Sequence, residues 1–328
     1  MMGTRLRVLV LAVALGWMTP AGWSQTGSGL RGHAKTQDAG PSSFSSTELV
    51  SSRDDAISRD ADEVRPLPDT SVLMHEVETR QKAAETIQKD YLYHAADTIE
   101  ELNGQGRVKK TRIREYDVFW TEGVPIHKLT SKDGKELSAD GQRKELERID
   151  KVVAKAREKR AKADAKGQTT DPYGNEEITV SRFLELGSFS NARRIKLNGR
   201  DTIAVDYAGN PQAKTRNRME AVIRDMVGTV WVDEEDRALA KIEGHFLNTF
   251  KIGAGLVVNI QKGTNFSLEQ RKINNEVWLP ARIEGHGAAR AFLLFKFNGS
   301  FREIDSDYRK FKVTTTILPG VGRVQDTK

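Results

Sequence analysis

The segment GTVWVDEEDRALAKIEGHF, Gly228 to Phe246, sets four carboxylates in a row: Asp233, Glu234, Glu235 and Asp236. Acids at that density could ligate a divalent cation or perform acid–base chemistry. A calcium loop, however, needs oxygen ligands at alternating positions and a glycine at its sharp bend. These four are contiguous and no glycine lies among them. Val230 and Val232 share one side of a strand, with Thr229 and Trp231 on the other. Beyond the acids, Ala240, Ile242, Gly244 and Phe246 alternate with Lys241, Glu243 and His245. The tetrad therefore falls where a hairpin loop belongs, and the pattern predicts a solvated tip whose carboxylates bond the turn backbone.

Two near-identical segments, AKIEGH at Ala240–His245 and ARIEGH at Ala281–His286, each place a Glu and a His on one strand face. Two Glu-x-His pairs have the donor set for a divalent ion. The strand expected over Thr264–Ile273 runs between them, which separates the pairs by two strand spacings, about 10 Å. Zn–N bonds are only about 2 Å long, so the pairs read as polar residues on a solvated face and no metal is expected. Elsewhere the chain lacks G-x-x-x-x-G-K-[ST], G-x-S-x-G and H-E-x-x-H. GAG at Gly253–Gly255 follows no βαβ pattern, and the remaining histidines, His33, His75, His94 and His127, are scattered. No cofactor and no catalytic group are expected, and the chain reads as a non-enzyme.

The elements that would position these residues follow from pattern. Asp69 can cap a helix carrying Leu73, Val77, Ala84, Ile87 and Tyr91 at helical steps. YLYHAADTIEEL follows as a strand, with a turn at Asn103–Gly106. RVKKTRIREYDVFWTEG reads as a long strand, and VPIHKLTSKDGKELS as another, folded at Asp133-Gly134. The segment 139–166 then interrupts the strands with a helix whose narrow stripe is Leu146, Ile149, Val153 and Ala156. Between Arg143 and Lys166 it holds ten cations against five acids. Its sharp reading is a docking helix for a membrane surface or acidic partner. Its plain reading is a solvated helix packed on the sheet. A short helix is expected around Ser181–Leu186. Strands then run to the end, with hairpins at Asn198-Gly199 and Asn274-Asn275, and AVIRDMVGTVWVD pairing with ALAKIEGHFLNTF. Strands joined in succession by short turns make an antiparallel meander.

The N-terminus carries Arg5 and Arg7, then the apolar run Val8–Leu15, then Pro20 and small residues, the pattern of a secretory signal peptide cut near Ser24. The expected organisation is a signal peptide over 1–24, a disordered leader or tether over 25–68, a folded domain over 69–315 with its helical insertion at 139–166, and a tail over 316–328. The leader is too poor in large apolar groups to offset its ordering entropy. The 328-residue chain has no cysteine, so disulfides, thiolate chemistry and a bacterial lipid anchor on Cys are excluded. The net charge of +6 favours anionic surfaces, but export argues against nucleic acid as a partner.

The fold class expected is α+β: a strongly curved antiparallel sheet, a half-barrel, with an N-terminal helix and helical insertions covering the concave face. The large apolar residues available to such a hollow are Trp231, Phe246, Phe266, Trp278, Phe295 and Phe297. Either they are core, or they receive a greasy ligand.

The strand–turn–strand GTVWVDEEDRALAKIEGHF resembles the outer-membrane lipoprotein-sorting (LolA/LolB-like) superfamily, in which a strand ending Trp-hydrophobic-Asp leads through a polar turn into the next. KGTNFSLEQRKINNEVWLPARIEGHG, with Trp278-Leu279-Pro280, fits the same succession. What the resemblance implies is a half-barrel with a cavity that takes acyl chains without catalysis. It also implies a periplasmic protein whose partners are lipid or lipoprotein acyl chains, with peripheral membrane contact; the family includes a soluble carrier and a lipid-anchored receptor, and the lack of a Cys to anchor places this chain with the soluble one. The charged insertion departs from a minimal carrier. The alternative is a non-catalytic envelope scaffold that docks a protein partner through that insertion; an exported hydrolase comes third.

Overall fold

The computed structural model describes residues 57–58, 65–175, 180–252, 258–291 and 295–311. The signal-peptide segment, most of the leader and the 316–328 tail lie outside them. Two leader residues, strand β1 (Ile57–Ser58), pair with Leu197 and Lys196.

Asp69 caps helix α1 (Thr70–Gln88) as its sequence predicts, its side chain accepting from the Val72 N–H. Leu73 and Val77 are fully buried. Next come β2 (Tyr91–Leu102), β3 (Val108–Thr121), β4 (Val124–Lys132) and β5 (Lys135–Glu136). The β4–β5 turn holds Asp133 and Gly134 at φ 51° and 76°, the left-handed pair that a tight hairpin requires.

Helix α2 (Ala139–Asp164) packs Ile149, Val153 and Ala156 on Val124 and Ile126. Leu146 departs from the expected stripe and is exposed. The helix and its following loop also occupy the free side of β4. Glu145 accepts from the Leu129 N–H, Arg148 donates to the His127 carbonyl and Tyr173 to the Pro125 carbonyl. An open strand edge is a template for unwanted pairing, and here side chains satisfy it.

The second half comprises α3 (Val180–Leu186), β6 (Gly187–Leu197), β7 (Arg200–Gly209), α4 (Arg218–Arg224), β8 (Met226–Asp233), β9 (Ala238–Phe246), β10 (Phe250–Ile252), β11 (Val258–Ile260), β12 (Asn265–Ile273), β13 (Val277–Ala291) and β14 (Phe295–Lys310). Two further points differ from expectation: Tyr91, placed on the stripe of the first helix, opens β2 instead, and Ala221–Arg224 is helical rather than the start of a strand. Asn217 caps it by accepting from the Glu220 N–H. Glu220 is in turn gripped at both oxygens by Arg182 of α3, at 2.8 and 2.7 Å. A short apolar run does not reveal its own period, and the anchoring arginine comes from 38 residues away.

All ladders are antiparallel, in the order β1-β6-β7-β8-β9-β12-β13-β14-β2-β3-β4-β5, with β10 and β11 hung on β13. The architecture is α+β: one large, strongly curved sheet, not closed into a barrel. Helices α1, α3 and α4 cover one face, where Leu73, Phe183, Ile203, Val232 and Leu268 share the principal core. Within it Phe266 leans across its register partner Gly244; a Cβ there would stand 2.5 Å from the Phe266 ring. Gly244→Ala is expected to cost about 1–3 kcal/mol by overpacking, read as a lowered urea midpoint. An unchanged midpoint would mean that the ring moves freely.

Candidate functional site

The acidic tetrad is the tip of the β8–β9 hairpin, as its position predicts, but three of its four acids are drawn down from solvent onto partners in the sheet. Asp233 is fully buried and holds the Arg200 guanidinium with two bonds, at 2.5 and 2.9 Å. It also accepts from the Asp236 N–H, which closes the turn. Glu234 accepts a fork from Arg194, at 2.8 Å on each oxygen. Asp236 accepts from Lys272 and from the Trp278 indole N–H, both at 2.9 Å. Only Glu235 stands out, its side chain 79% exposed. The expectation of a wholly solvated tip is corrected on this point: the partners lie on β6, β7, β12 and β13, beyond the reach of a local pattern.

The electrostatics follow the geometry. Asp233, with Asp236 and Glu235, holds the Arg200 pKa above its ordinary value. Hydrogen bonds from Arg194 depress the Glu234 carboxyl. Burial works against the charge on Asp236, but Lys272, Trp278 and Arg200 together outweigh it and leave its pKa lowered. Their donors thus hold Glu234 and Asp236 as structural anions.

Alternating hairpins of the meander turn at one end of the sheet, and there β6–β7, β8–β9 and β12–β13 bring their tips together. Between them lies a cavity of about 340 Å³ lined by Leu197, Asn198, Arg200, Thr202, Ala240, Gln270, Arg271, Lys272, Asn275 and Trp278. Leu197, Ala240 and Trp278 form one apolar cluster with the buried Ile195, Ala204 and Trp231 beneath. Arg200 lies over the Trp278 ring, 5.6 Å from its centroid. The lining includes three cations and three amides and no carboxylate; Asp233 and Asp236 hold two of the cations, Arg200 and Lys272, from behind.

The six large apolar candidates divide between faces. Phe246 and Phe266 are buried in the helix-covered core. Trp231 and Trp278 lie on the opposite face, where Lys241 sits over the Trp231 ring. Phe295 and Phe297 fall on β14 opposite Ala291 and Ala289, and their side chains lie outside the described residues. The two Glu-x-His pairs are separated by β12, as expected: His245 and His286 both oppose Asn265 on its two sides. Glu243 pairs with Lys241, and Glu284 with Arg302. Among the described residues no three His, Asp or Glu are placed to hold a metal ion.

The pocket-lining residues Arg200, Lys272 and Gln270 escaped sequence reading, and Asn198 and Asn275 were read only as turn residues. The available signal was topological: in a meander every second hairpin turns at the same end, so Asn198-Gly199, the acidic tip and Asn274-Asn275 had to meet.

No family model matches the chain, and no curated protein matches it. Among solved structures it is similar to a Vibrio parahaemolyticus domain assigned to outer-membrane lipoprotein sorting, at 12% identity, covering 75% of this chain and 94% of that one, with a TM-score of 0.35. It is similar to a LolA superfamily protein from Nitrosomonas europaea at 10% identity, covering 72% and 94%, TM-score 0.30. A DUF1329 family protein from Desulfovibrio piger gives 10%, 73% and 92%, TM-score 0.33. These are likenesses of fold at low identity; the fold stands on the chain's own strand order.

Proposed function

We propose that this chain is an exported, periplasmic, non-catalytic protein that holds a lipid acyl chain or a lipidated partner in outer-membrane lipoprotein sorting. The observation that carries this reading is the pocket beside Trp278. Its floor is apolar and its walls are cationic and amide-bearing, so it presents to one ligand both a greasy and a polar surface. An amphiphile satisfies both: each methylene buried contributes about 0.8 kcal/mol, while the head remains among hydrogen-bonding groups at the rim. At about 340 Å³ the cavity is at the lower end of ligand clefts, room for part of a chain. Export rests on the charged and apolar N-terminal segments. No described helix is long and apolar enough to cross a membrane.

Protein purified from a bacterial periplasm and sprayed under native conditions is expected to carry lipid, and Trp278→Ala is expected to lower the retained fraction about tenfold, the equivalent of about 1.4 kcal/mol. Lipid-free protein whose tryptophan emission ignores added acyl chains would end the carrier reading. The second reading, a scaffold that docks a protein partner through α2, is favoured by that helix's solvent side, where Lys151 and Lys155 are exposed.

A further inference from the structure

Asp236 occupies a cradle built for an anion. Its carboxylate receives Lys272 Nζ on one oxygen, and the Trp278 indole N–H and an Arg200 N–H on the other, at 2.9, 2.9 and 3.2 Å. All three donors line the pocket, yet Asp236 itself does not. The tip carrying it is a turn, and its side chain takes part in no strand ladder. Arg200 does not depend on Asp236 for its position, because Asp233 grips it from the buried side. Turning the Asp236 side chain outward therefore costs no backbone bond and leaves a guanidinium, an ammonium and an indole N–H converging at the pocket wall.

We propose that the pocket selects an amphiphile with an oxyanion head, phosphate or carboxylate, and that Asp236 is an internal stand-in which the incoming head displaces. The inference rests on the carrier reading and adds headgroup selectivity to it. A planar Arg and a neighbouring Lys are the donors that oxyanions prefer. The acyl chain lies toward Leu197, Ala240 and Trp278. Because Asp236 is held ionised by its three donors, competition for the cradle persists at neutral pH. Ligands with a neutral head gain nothing from displacing it.

The test is calorimetric titration of the full-length mature protein with dodecyl phosphate, inorganic phosphate and dodecyl maltoside. Asp236→Asn, which keeps the acceptor and loses the charge, is expected to tighten dodecyl phosphate about tenfold, and Lys272→Ala to weaken it about tenfold. Glu235→Gln, on an exposed side chain that cannot endanger the fold, should tighten it by a smaller factor. Dodecyl maltoside should bind more weakly and ignore all three changes. Equal binding of both amphiphiles, unmoved by Asp236→Asn and Glu235→Gln, would overturn headgroup selection and leave the carrier reading standing. Inorganic phosphate binding as tightly as dodecyl phosphate would keep the oxyanion cradle and overturn the acyl carrier. No binding of any probe would overturn both.

Discussion

Replacing Asp233 by alanine is expected to destabilise the protein by about 3 kcal/mol, the lower part of the range for breaking a buried ion pair. Its carboxylate is fully buried and serves three donors: two nitrogens of Arg200 and the Asp236 N–H. Alanine strands the guanidinium and leaves a turn amide without its acceptor. Solvent softens the loss, since the Arg200 side chain is 34% exposed and partly rehydrates. The measurement is urea unfolding, with a lowered midpoint at unchanged slope. A loss below about 1 kcal/mol would place the pair among ordinary surface bridges. Pocket binding should fail in the same variant, because Arg200 loses its anchor.

The second large effect is a dependence of stability on pH with an uncommon sign. Asp97 on β2 opposes Glu303 on β14, and Asp305 lies two residues further along the same face. All three are buried. Tyr116, Tyr308 and Arg114 are the neighbouring titratable groups, with Arg271 over the Tyr308 ring. Burial pushes the Asp97 carboxyl up to about 10, with the Glu303 and Asp305 charges adding to it. The folded protein therefore keeps a proton that the unfolded chain releases above about pH 4. Stability from this group is fully present below that value and is lost as pH rises toward about 10. Between about pH 7 and 9 the stability is therefore expected to fall as pH rises. Asp97→Asn, neutral at every pH, should flatten the profile and raise stability at pH 9. An Asp97→Asn profile parallel to the parent's would show that Asp97 is ionised in the folded protein.

Much of the fold was legible because its signals are local. The α1 cap at Asp69, the turns at Asp133-Gly134, Asn198-Gly199 and Asn274-Asn275, and the strand between the two Glu-x-His pairs all stand where short patterns put them. Two features were not. The join of β14 to β2 brings together residues such as Glu100 and Ser300, 200 positions apart, and no turn announces it. The cradle around Asp236 is likewise assembled across strands: its own sequence says only that a hairpin tip is acidic, while Lys272 and Trp278 arrive from another hairpin. The division of the aromatics was half legible. Alternation along β8 already sets Trp231 apart from Val230 and Val232, but relating it to Phe246 needed the β8–β9 register, which a bulge between Trp231 and Val232 shifts.

The central claim, that an acyl chain rests against Trp278, is tested most directly by quenching with a fatty acid brominated along its chain. Bromine near the chain end should quench part of the tryptophan emission of the mature protein. That component should vanish in Trp278→Phe and persist in Trp120→Phe. Quenching that survives Trp278→Phe undiminished, or that never occurs at saturating ligand, would contradict the assignment.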